Sequence, residues 1–188
     1  GNLWVRTLSK GIAILKKENK ADGTFVSHQN KPGDEKSLPN DAINCIRKDR
    51  YGTIWIGTMR GLAKVVENNQ NAIIYRNYTR YSGTKHSLTN NIINDIRFDT
   101  ESKLWLATHG GGINVFDPKK ETFSVFNPKN QIRDKNAKIT SLLFDLDRQL
   151  WIGTQNSGLY KYHLGYKNIQ HYKADITNPK RISGNHIT

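Results

Sequence analysis

A short motif built around tryptophan occurs four times in this chain and limits what the chain can fold into. Each copy consists of Leu or Ile, Trp, a second apolar residue, a variable residue and Thr, and a Gly followed by Ile or Leu comes three or four residues later. The copies span residues 3–7, 54–58, 104–108 and 150–154, and their tryptophans are 51, 50 and 46 residues apart. Such regular spacing is the signature of a repeat architecture.

The match extends upstream of the tryptophan in three of the four copies. Apolar residues stand twelve and nine positions before it, and an aspartate stands six positions before it. These triplets are Ile43, Ile46 and Asp49; Ile93, Ile96 and Asp99; and Ile139, Leu142 and Asp145. The chain therefore divides into units of about 1–36, 37–86, 87–135 and 136–181, and residues 182–188 begin the pattern again.

Each unit is predicted to hold four short β-strands, because short stretches rich in β-branched and aromatic residues alternate with turn signals. In the second unit we expect them at 42–48, 53–57, 62–66 and 73–78; the fourth strand has counterparts at 25–29, 123–126 and 169–172. No segment has the apolar spacing of an amphipathic helix. Four antiparallel strands in about fifty residues are typical of a β-propeller blade, whereas solenoid repeats are shorter.

The expected fold is therefore all-β, with about four propeller blades. Three blades are complete and part-blades stand at the ends. Four blades could close only a tight ring, so we expect this segment to be a fragment of a larger ring.

The composition excludes several classes of protein. No apolar run exceeds four residues, which is too short for a membrane span or a signal-peptide core. The single cysteine, Cys45, rules out an internal disulfide framework and any multi-cysteine metal site. The net charge is +13, but the basic residues come in short pairs without an aromatic ladder, so no nucleic-acid partner is expected.

The sequence predicts no catalysis. Its six histidines are scattered without metal-ligand spacing, and it has no nucleophile elbow and no phosphate-binding glycine loop. Among the predicted inner strands Asp95 is the one carboxylate, and glycoside cleavage needs two. We therefore expect no enzyme activity, no catalytic residue, no metal and no cofactor.

The tryptophan motif, which reads Leu-Trp-Ile-Gly-Thr at 150–154, follows Ile-x-x-Ile/Leu-x-x-Asp in three of the repeats and, in two of them, Ser-Leu-x-Asn (37–40 and 87–90). This combination resembles the two-component regulator propeller repeat. The resemblance covers nearly the whole chain, with Arg6 and Ala107 replacing the usual Gly. It implies a periplasmic sensor of a bacterial hybrid histidine kinase that binds an oligosaccharide and passes a signal across the membrane. Membrane contact would occur only through parts of the receptor outside this segment.

In a propeller blade, the loop between the second and third strands lies on the same face as the connection to the next blade. Arg60, His109 and Gln155 occupy matching positions in three such loops. Asn90, Asn94 and Lys138 lie in or beside the connections, where Asn44 and Thr140 stand as well. A mild excess of positive charge on this face favours an acidic or sulfated glycan. Simple solvation of the loops, and Asn side chains bonding their own turns, would give the same pattern.

The repeated aromatic and glycine positions have a structural interpretation. Sugar-stacking platforms are the alternative for the indoles, but their regular placement in the second strand favours the core between blades. The structural positions are Trp4, Trp55, Trp105, Trp151, Gly61, Gly112 and Gly158. Besides the oligosaccharide, the expected partners are the remaining blades or a second protomer of the same receptor, giving a homodimer. The alternative to a ligand sensor is a structural propeller that mediates sensor dimerisation without direct ligand contact.

Overall fold

The computed structural model describes residues 1–68, 73–81, 87–126, 138–175, 177–178 and 180–188. The middle of the predicted connection between the second and third units and most of the connection that precedes Lys138 lie outside these residues.

These described residues form four antiparallel sheets, and in each sheet every strand pairs with its neighbour in sequence. The three-stranded sheet holds β1 (Leu3–Arg6), β2 (Ile12–Leu15) and β3 (Phe25–His28). The first four-stranded sheet holds β4 (Ile43–Lys48), β5 (Ile54–Thr58), β6 (Gly61–Asn68) and β7 (Ile73–Tyr78). The next holds β8 (Ile93–Phe98), β9 (Leu104–Thr108), β10 (Ile113–Asp117) and β11 (Thr122–Phe126). The last holds β12 (Ile139–Phe144), β13 (Gln149–Thr154), β14 (Leu159–His163) and β15 (Asn168–Tyr172).

These sheets confirm the all-β prediction of three complete blades and three strands of another. The observed strand ends lie within two residues of the predicted ones. A short 3-10 helix at Lys17–Asn19, between β2 and β3, was not predicted. No helix in the described part of the chain is both long and apolar enough to cross a bilayer.

The chain separates into two compact units. Unit 1 comprises Gly1–Arg80 and Asn91–Ile93, and unit 2 comprises Tyr81–Asn90 and Asn94–Thr188. In unit 1 the core joins the sheets β1–β3 and β4–β7 through Ile12, Ile14, Leu38, Ile43, Ile56, Ala63 and Tyr75. In unit 2 it joins β8–β11 and β12–β15 through Trp105, Ala107, Ile113, Ile139, Leu142, Leu150, Ile152, Tyr160 and Tyr162.

The upstream aspartate of the motif organises the turn between the first and second strands. One oxygen of Asp49 accepts hydrogen bonds from the backbone N–H groups of Tyr51 and Thr53, both at 2.9 Å. Its other oxygen accepts from Nε1 of Trp55 at 3.0 Å. The same indole bond joins Trp105 to Asp99 and Trp151 to Asp145. The six-residue spacing is therefore the spacing that lets one carboxylate hold both the turn and the indole.

The Thr and Gly of the motif close the loop at the opposite end of the second strand. In each of the four sequence repeats the threonine hydroxyl donates to the carbonyl of the glycine at the start of the following strand. The pairs are Thr7 and Gly11, Thr58 and Gly61, Thr108 and Gly112, and Thr154 and Gly158. At Gly158 the φ angle is +80°, and a Cβ there would collide with the carbonyl oxygen of Tyr172, so the loop requires glycine.

The four indoles differ in burial. Trp55 and Trp105 are 1% and 7% exposed, and Trp105 packs against Phe126 and Phe144 within unit 2. Trp4 and Trp151 are half-buried. The ring of Trp151 stacks on Tyr172 at 5.8 Å.

Candidate functional site

Four of the predicted ligand-binding residues are linked at one end of unit 2. Asn90 donates its side-chain N–H to the backbone carbonyl of His109 over 2.7 Å. His109 forms an isolated antiparallel bridge with Lys138. The backbone N–H of Gln155 donates to the carbonyl of Lys138 at 3.0 Å. The loops β9–β10 and β13–β14 and the start of β12 thus form one continuous polar surface, which we call the loop surface.

Asn94, a fifth predicted residue, lies beside this surface with its amide bound to the chain. Its Nδ2 donates to the carbonyl of Ile139 at 2.6 Å. Asn44 makes the same bond to Ile93 at 2.9 Å, and the hydroxyl of Thr140 donates to Ile187. The register shifts next to Asn44 and Thr140, at bulges between Ile43 and Cys45 and between Ile139 and Ser141. Each of these side chains therefore joins the first strand of one repeat to the residue that begins the corresponding segment of the next repeat.

Arg60, the sixth predicted residue, belongs to unit 1. It lies in the β5–β6 turn, where its backbone N–H donates to the hydroxyl of Thr58 at 3.0 Å, and it is exposed.

The loop surface combines one exposed cation with uncharged donors and acceptors. Lys138 is exposed, whereas His109 and Gln155 are half-buried. Partial burial lowers the pKa of His109, and the nearby Lys138 lowers it further. His109 is therefore a neutral imidazole at pH 7, able both to donate and to accept a hydrogen bond.

A cleft of about 570 Å³ opens next to the β13–β14 loop in unit 2. It is lined by His171, Lys173, Ala174, Asp175 and Arg181. Nε2 of His171 lies 2.6 Å from the carbonyl oxygen of Ser157, which connects the cleft to the loop that carries Gln155. We call this feature the basic cleft.

These cleft residues are not among the ligand-binding residues predicted from the sequence. A signal was present, because Lys173 and Arg181 both lie in the basic connection that follows β15. Nothing in the repeat pattern indicates that these two cations line one cavity.

In the part of the chain that the structure describes, no three His, Cys, Asp or Glu side chains come together in a way that could hold a metal ion. Cys45 is a buried thiol, and its Sγ would lie 2.6 Å from a Cβ atom placed on Gly57.

Residues 37–60 match the family model described as two component regulator propeller. The recognition of this repeat is confirmed. The matched segment contains Ser-Leu-x-Asn, which recurs at 87–90, the strand β4 and Asp49, which have counterparts in the next two repeats, and the Trp55 motif, which occurs in all four. No curated protein sequence matches the chain.

Solved structures share the fold over most of this chain. The extracellular domain of BT4673 from B. thetaiotaomicron, assigned as a hybrid two component system, is 24% identical with a TM-score of 0.76 over 99% of the chain. The extracellular domain of BT3049 from the same organism, assigned likewise, is 22% identical with a TM-score of 0.75 over 92% of the chain. PorZ of Porphyromonas gingivalis, a surface component of the type-IX secretion system, is 19% identical with a TM-score of 0.60 over 81%. The chain spans 23% of the length of each of these proteins.

Proposed function

We propose that this segment is part of the extracytoplasmic sensor of a hybrid two-component histidine kinase and that it binds an oligosaccharide at the loop surface. The main support is the similarity of nearly the whole chain to extracellular domains assigned to such systems. The match of residues 37–60 to the regulator-propeller family supports the same assignment. The sensor would lie in the periplasm and reach the membrane only through other parts of the receptor.

The chemistry of the loop surface suits a sugar better than a reacting substrate. Saccharide hydroxyls need donors and acceptors in fixed positions, and the backbone bonds among His109, Lys138 and Gln155 hold those residues in place. Lys138 adds one exposed positive charge, which favours an acidic glycan. The segment would bind without catalysis.

Signalling in this proposal needs no covalent step. A ligand shifts a conformational equilibrium only by its difference in affinity for the two states. The loop surface would contact the saccharide better in one arrangement of its strands than in another. Binding would then favour the arrangement with the better contacts. The segment would thereby pass occupancy on to the rest of the receptor.

Calorimetric titration of neutral, uronic-acid-containing and sulfated oligosaccharides tests the proposal. We expect saturable binding of at least one of them, weakened about fivefold by Lys138→Ala or Gln155→Ala through loss of one polar contact. Lys119→Ala is the matched control, because Lys119 lies in the β10–β11 turn at the opposite end of unit 2. The absence of heat with every class of saccharide would refute ligand binding by this segment.

A structural role in dimerisation is the second candidate, and it is favoured by apolar side chains at the opposite end of the β12–β15 sheet. Leu146 and Tyr166 are 103% and 80% exposed in the β12–β13 and β14–β15 turns. Both turns lie at the same end of the sheet, and a contiguous apolar patch formed there by the two side chains would mark a protein contact. Sedimentation equilibrium of the wild type and of Leu146→Asp tests this role; a dimer that the substitution dissociates would support it, and a monomer at all concentrations would exclude it.

A further inference from the structure

We propose that the basic cleft binds the anionic group, carboxylate or sulfate, of an acidic saccharide. This inference rests on the proposed function and adds to it a second set of contacts, formed by His171, Lys173 and Arg181. None of these residues belongs to the loop surface, but the cleft adjoins it through Ser157.

The charge of the cleft is positive on balance. Lys173 and Arg181 contribute two permanent cations, and Asp175 contributes the one carboxylate among its lining residues. Hydrogen bonds from the hydroxyl and the backbone N–H of Thr177, at 2.7 and 3.0 Å, lower the pKa of Asp175, and the nearby charge of Arg181 lowers it further. Asp175 is therefore ionised at neutral pH and held by its own turn, while the planar guanidinium of Arg181 matches the oxygens of a carboxylate or sulfate.

The histidine on the wall of the cleft is fixed in position. The ring of His171 stacks on Tyr160 with 3.9 Å between centroids and 8° between planes, and Tyr160 is buried. Because a carbonyl oxygen can only accept, Nε2 of His171 carries the proton that bonds Ser157. Nδ1 is then the ring nitrogen left to form a hydrogen bond with a saccharide hydroxyl.

Backbone hydrogen bonds also hold Ala174, next to Lys173, and Arg181 in place. Ala174 donates its N–H to the side-chain oxygen of Asn185 at 2.8 Å, and Asn185 accepts from Gly158 through its carbonyl at 2.9 Å. The N–H of Arg181 donates to the carbonyl of Asn178 at 3.0 Å. A cleft whose backbone is ordered before binding loses less conformational freedom when a ligand enters.

Either a carboxylate or a sulfate could be the anionic group that the cleft binds, and the experiment distinguishes the two. The wild-type chain is titrated with glucuronic acid, galactose 6-sulfate and neutral galactose, and binding is followed by NMR shifts of the Ala174 and Arg181 amides. Arg181→Gln and Lys173→Gln remove one cation each. Lys180→Gln is the matched control, because it removes the same charge one position from Arg181 and does not line the cleft.

We expect at least one anionic sugar to bind, and Arg181→Gln or Lys173→Gln to weaken it about fivefold through loss of a charge-assisted contact. Lys180→Gln should change the affinity less than twofold, and galactose should bind at least fivefold more weakly, because each cationic contact depends on the charge of the ligand. Asp175→Asn keeps the oxygen that bonds Thr177 and removes the repelling charge, so it should strengthen binding about twofold.

Three results would overturn the inference. They are equal binding of galactose and the anionic sugars, equal effects of Lys180→Gln and Arg181→Gln, or no saturable shift at Ala174 and Arg181. If saccharides bind and depend on Lys138 and Gln155 but not on the cleft cations, the cleft inference fails and the proposed function stands. If no saccharide of any class binds, both fail.

Discussion

The indole Nε1 of Trp105 donates a hydrogen bond to Oδ2 of Asp99 over 3.0 Å. The other oxygen of Asp99 accepts from the backbone N–H groups of Glu101 and Lys103, each at 2.9 Å. One carboxylate thus shapes the β8–β9 turn and fixes the orientation of a large aromatic ring in the core of unit 2. The same arrangement in two other repeats explains why Asp and Trp recur together.

Replacement of Asp99 by Asn separates the two roles of this carboxylate. Asn keeps an oxygen for the turn amides but sets a donor against the indole N–H, so we expect the free energy of unfolding to fall by about 1–2 kcal/mol. Urea unfolding followed by tryptophan fluorescence measures the change. Glu101→Gln, in the same turn, is the control and should have little effect. Equal stability of Asp99→Asn and wild type would contradict the role of the indole bond.

Gly57, which follows Trp55 and Ile56, must be small because its Cα faces side chains of the strands β4 and β8. A Cβ at Gly57 would lie 2.6 Å from Sγ of Cys45 and 2.9 Å from Cγ2 of Ile93. Gly57→Ala should therefore lower the free energy of unfolding by about 2 kcal/mol through overpacking.

A double-mutant cycle checks the cause of this loss. Because Cys45→Ala removes the sulfur that the new methyl would meet, Gly57→Ala should cost less in that background than in the wild type. Ala107→Gly, at the matching position of the next repeat, is the comparison, since that repeat already accommodates a methyl group. Additive effects of Gly57→Ala and Cys45→Ala would argue against the contact.

The fold could be predicted because its determinants repeat. The Asp–Trp and Thr–Gly hydrogen bonds are local, within six residues, so each leaves a fixed spacing in the sequence. The bond from Asn94 to Ile139 joins residues 45 positions apart. From sequence alone, a ligand and a distant carbonyl are equally suitable partners for that amide.

The basic cleft could not be predicted for a related reason. It depends on the ring stack of His171 on Tyr160 and on the cations Lys173 and Arg181, and these residue types are not part of the repeat. The loop surface was more accessible to prediction, because antiparallel alternation alone places the β9–β10 and β13–β14 loops at the same end of their sheets.

An ion pair fastens β8 to β12 within unit 2. Asp95, 5% exposed, accepts from the N–H of Leu142 at 3.1 Å and lies 3.2 Å from Arg97, whose Nε donates to the carbonyl of Leu142. Removal of Arg97 takes one counter-ion from a buried carboxylate. Arg97→Met should cost about 2 kcal/mol, less than for a fully buried pair because Arg97 is one-third exposed.

Denaturant unfolding of Arg97→Met, Asp95→Ser and the double variant tests this pair. Ser is the residue at the matching position 141. We expect the double variant to lose about 1 kcal/mol less than the sum of the single variants. Additivity within error would show that the two side chains act independently.

The histidine at the end of β3 should titrate below its ordinary value. Burial lowers the pKa of His28 from 6.5, and the charges of Lys16 and Lys31 lower it further. Because the folded state then favours the neutral ring, His28 contributes stability above pH 6.5 that is lost as the pH falls below it.

NMR titration of the His28 ring measures this pKa directly. Lys16→Gln and Lys31→Gln should each raise it towards 6.5, whereas Lys20→Gln should leave it unchanged. A wild-type value at or above 6.5 would show that burial and the lysines do not act on this ring.

The most direct test of saccharide recognition at one end of unit 2 is an amide NMR map of the 188-residue chain during titration with a uronic-acid-containing oligosaccharide. We expect saturable shifts at His109, Lys138, Gln155, Ala174 and Arg181. We expect none at the turn amides of Lys103, Gln149 and Lys167, which lie at the other end of the same sheets. Shifts concentrated on those turn amides, or no saturable shift with acidic and neutral oligosaccharides alike, would contradict saccharide recognition at this end of unit 2.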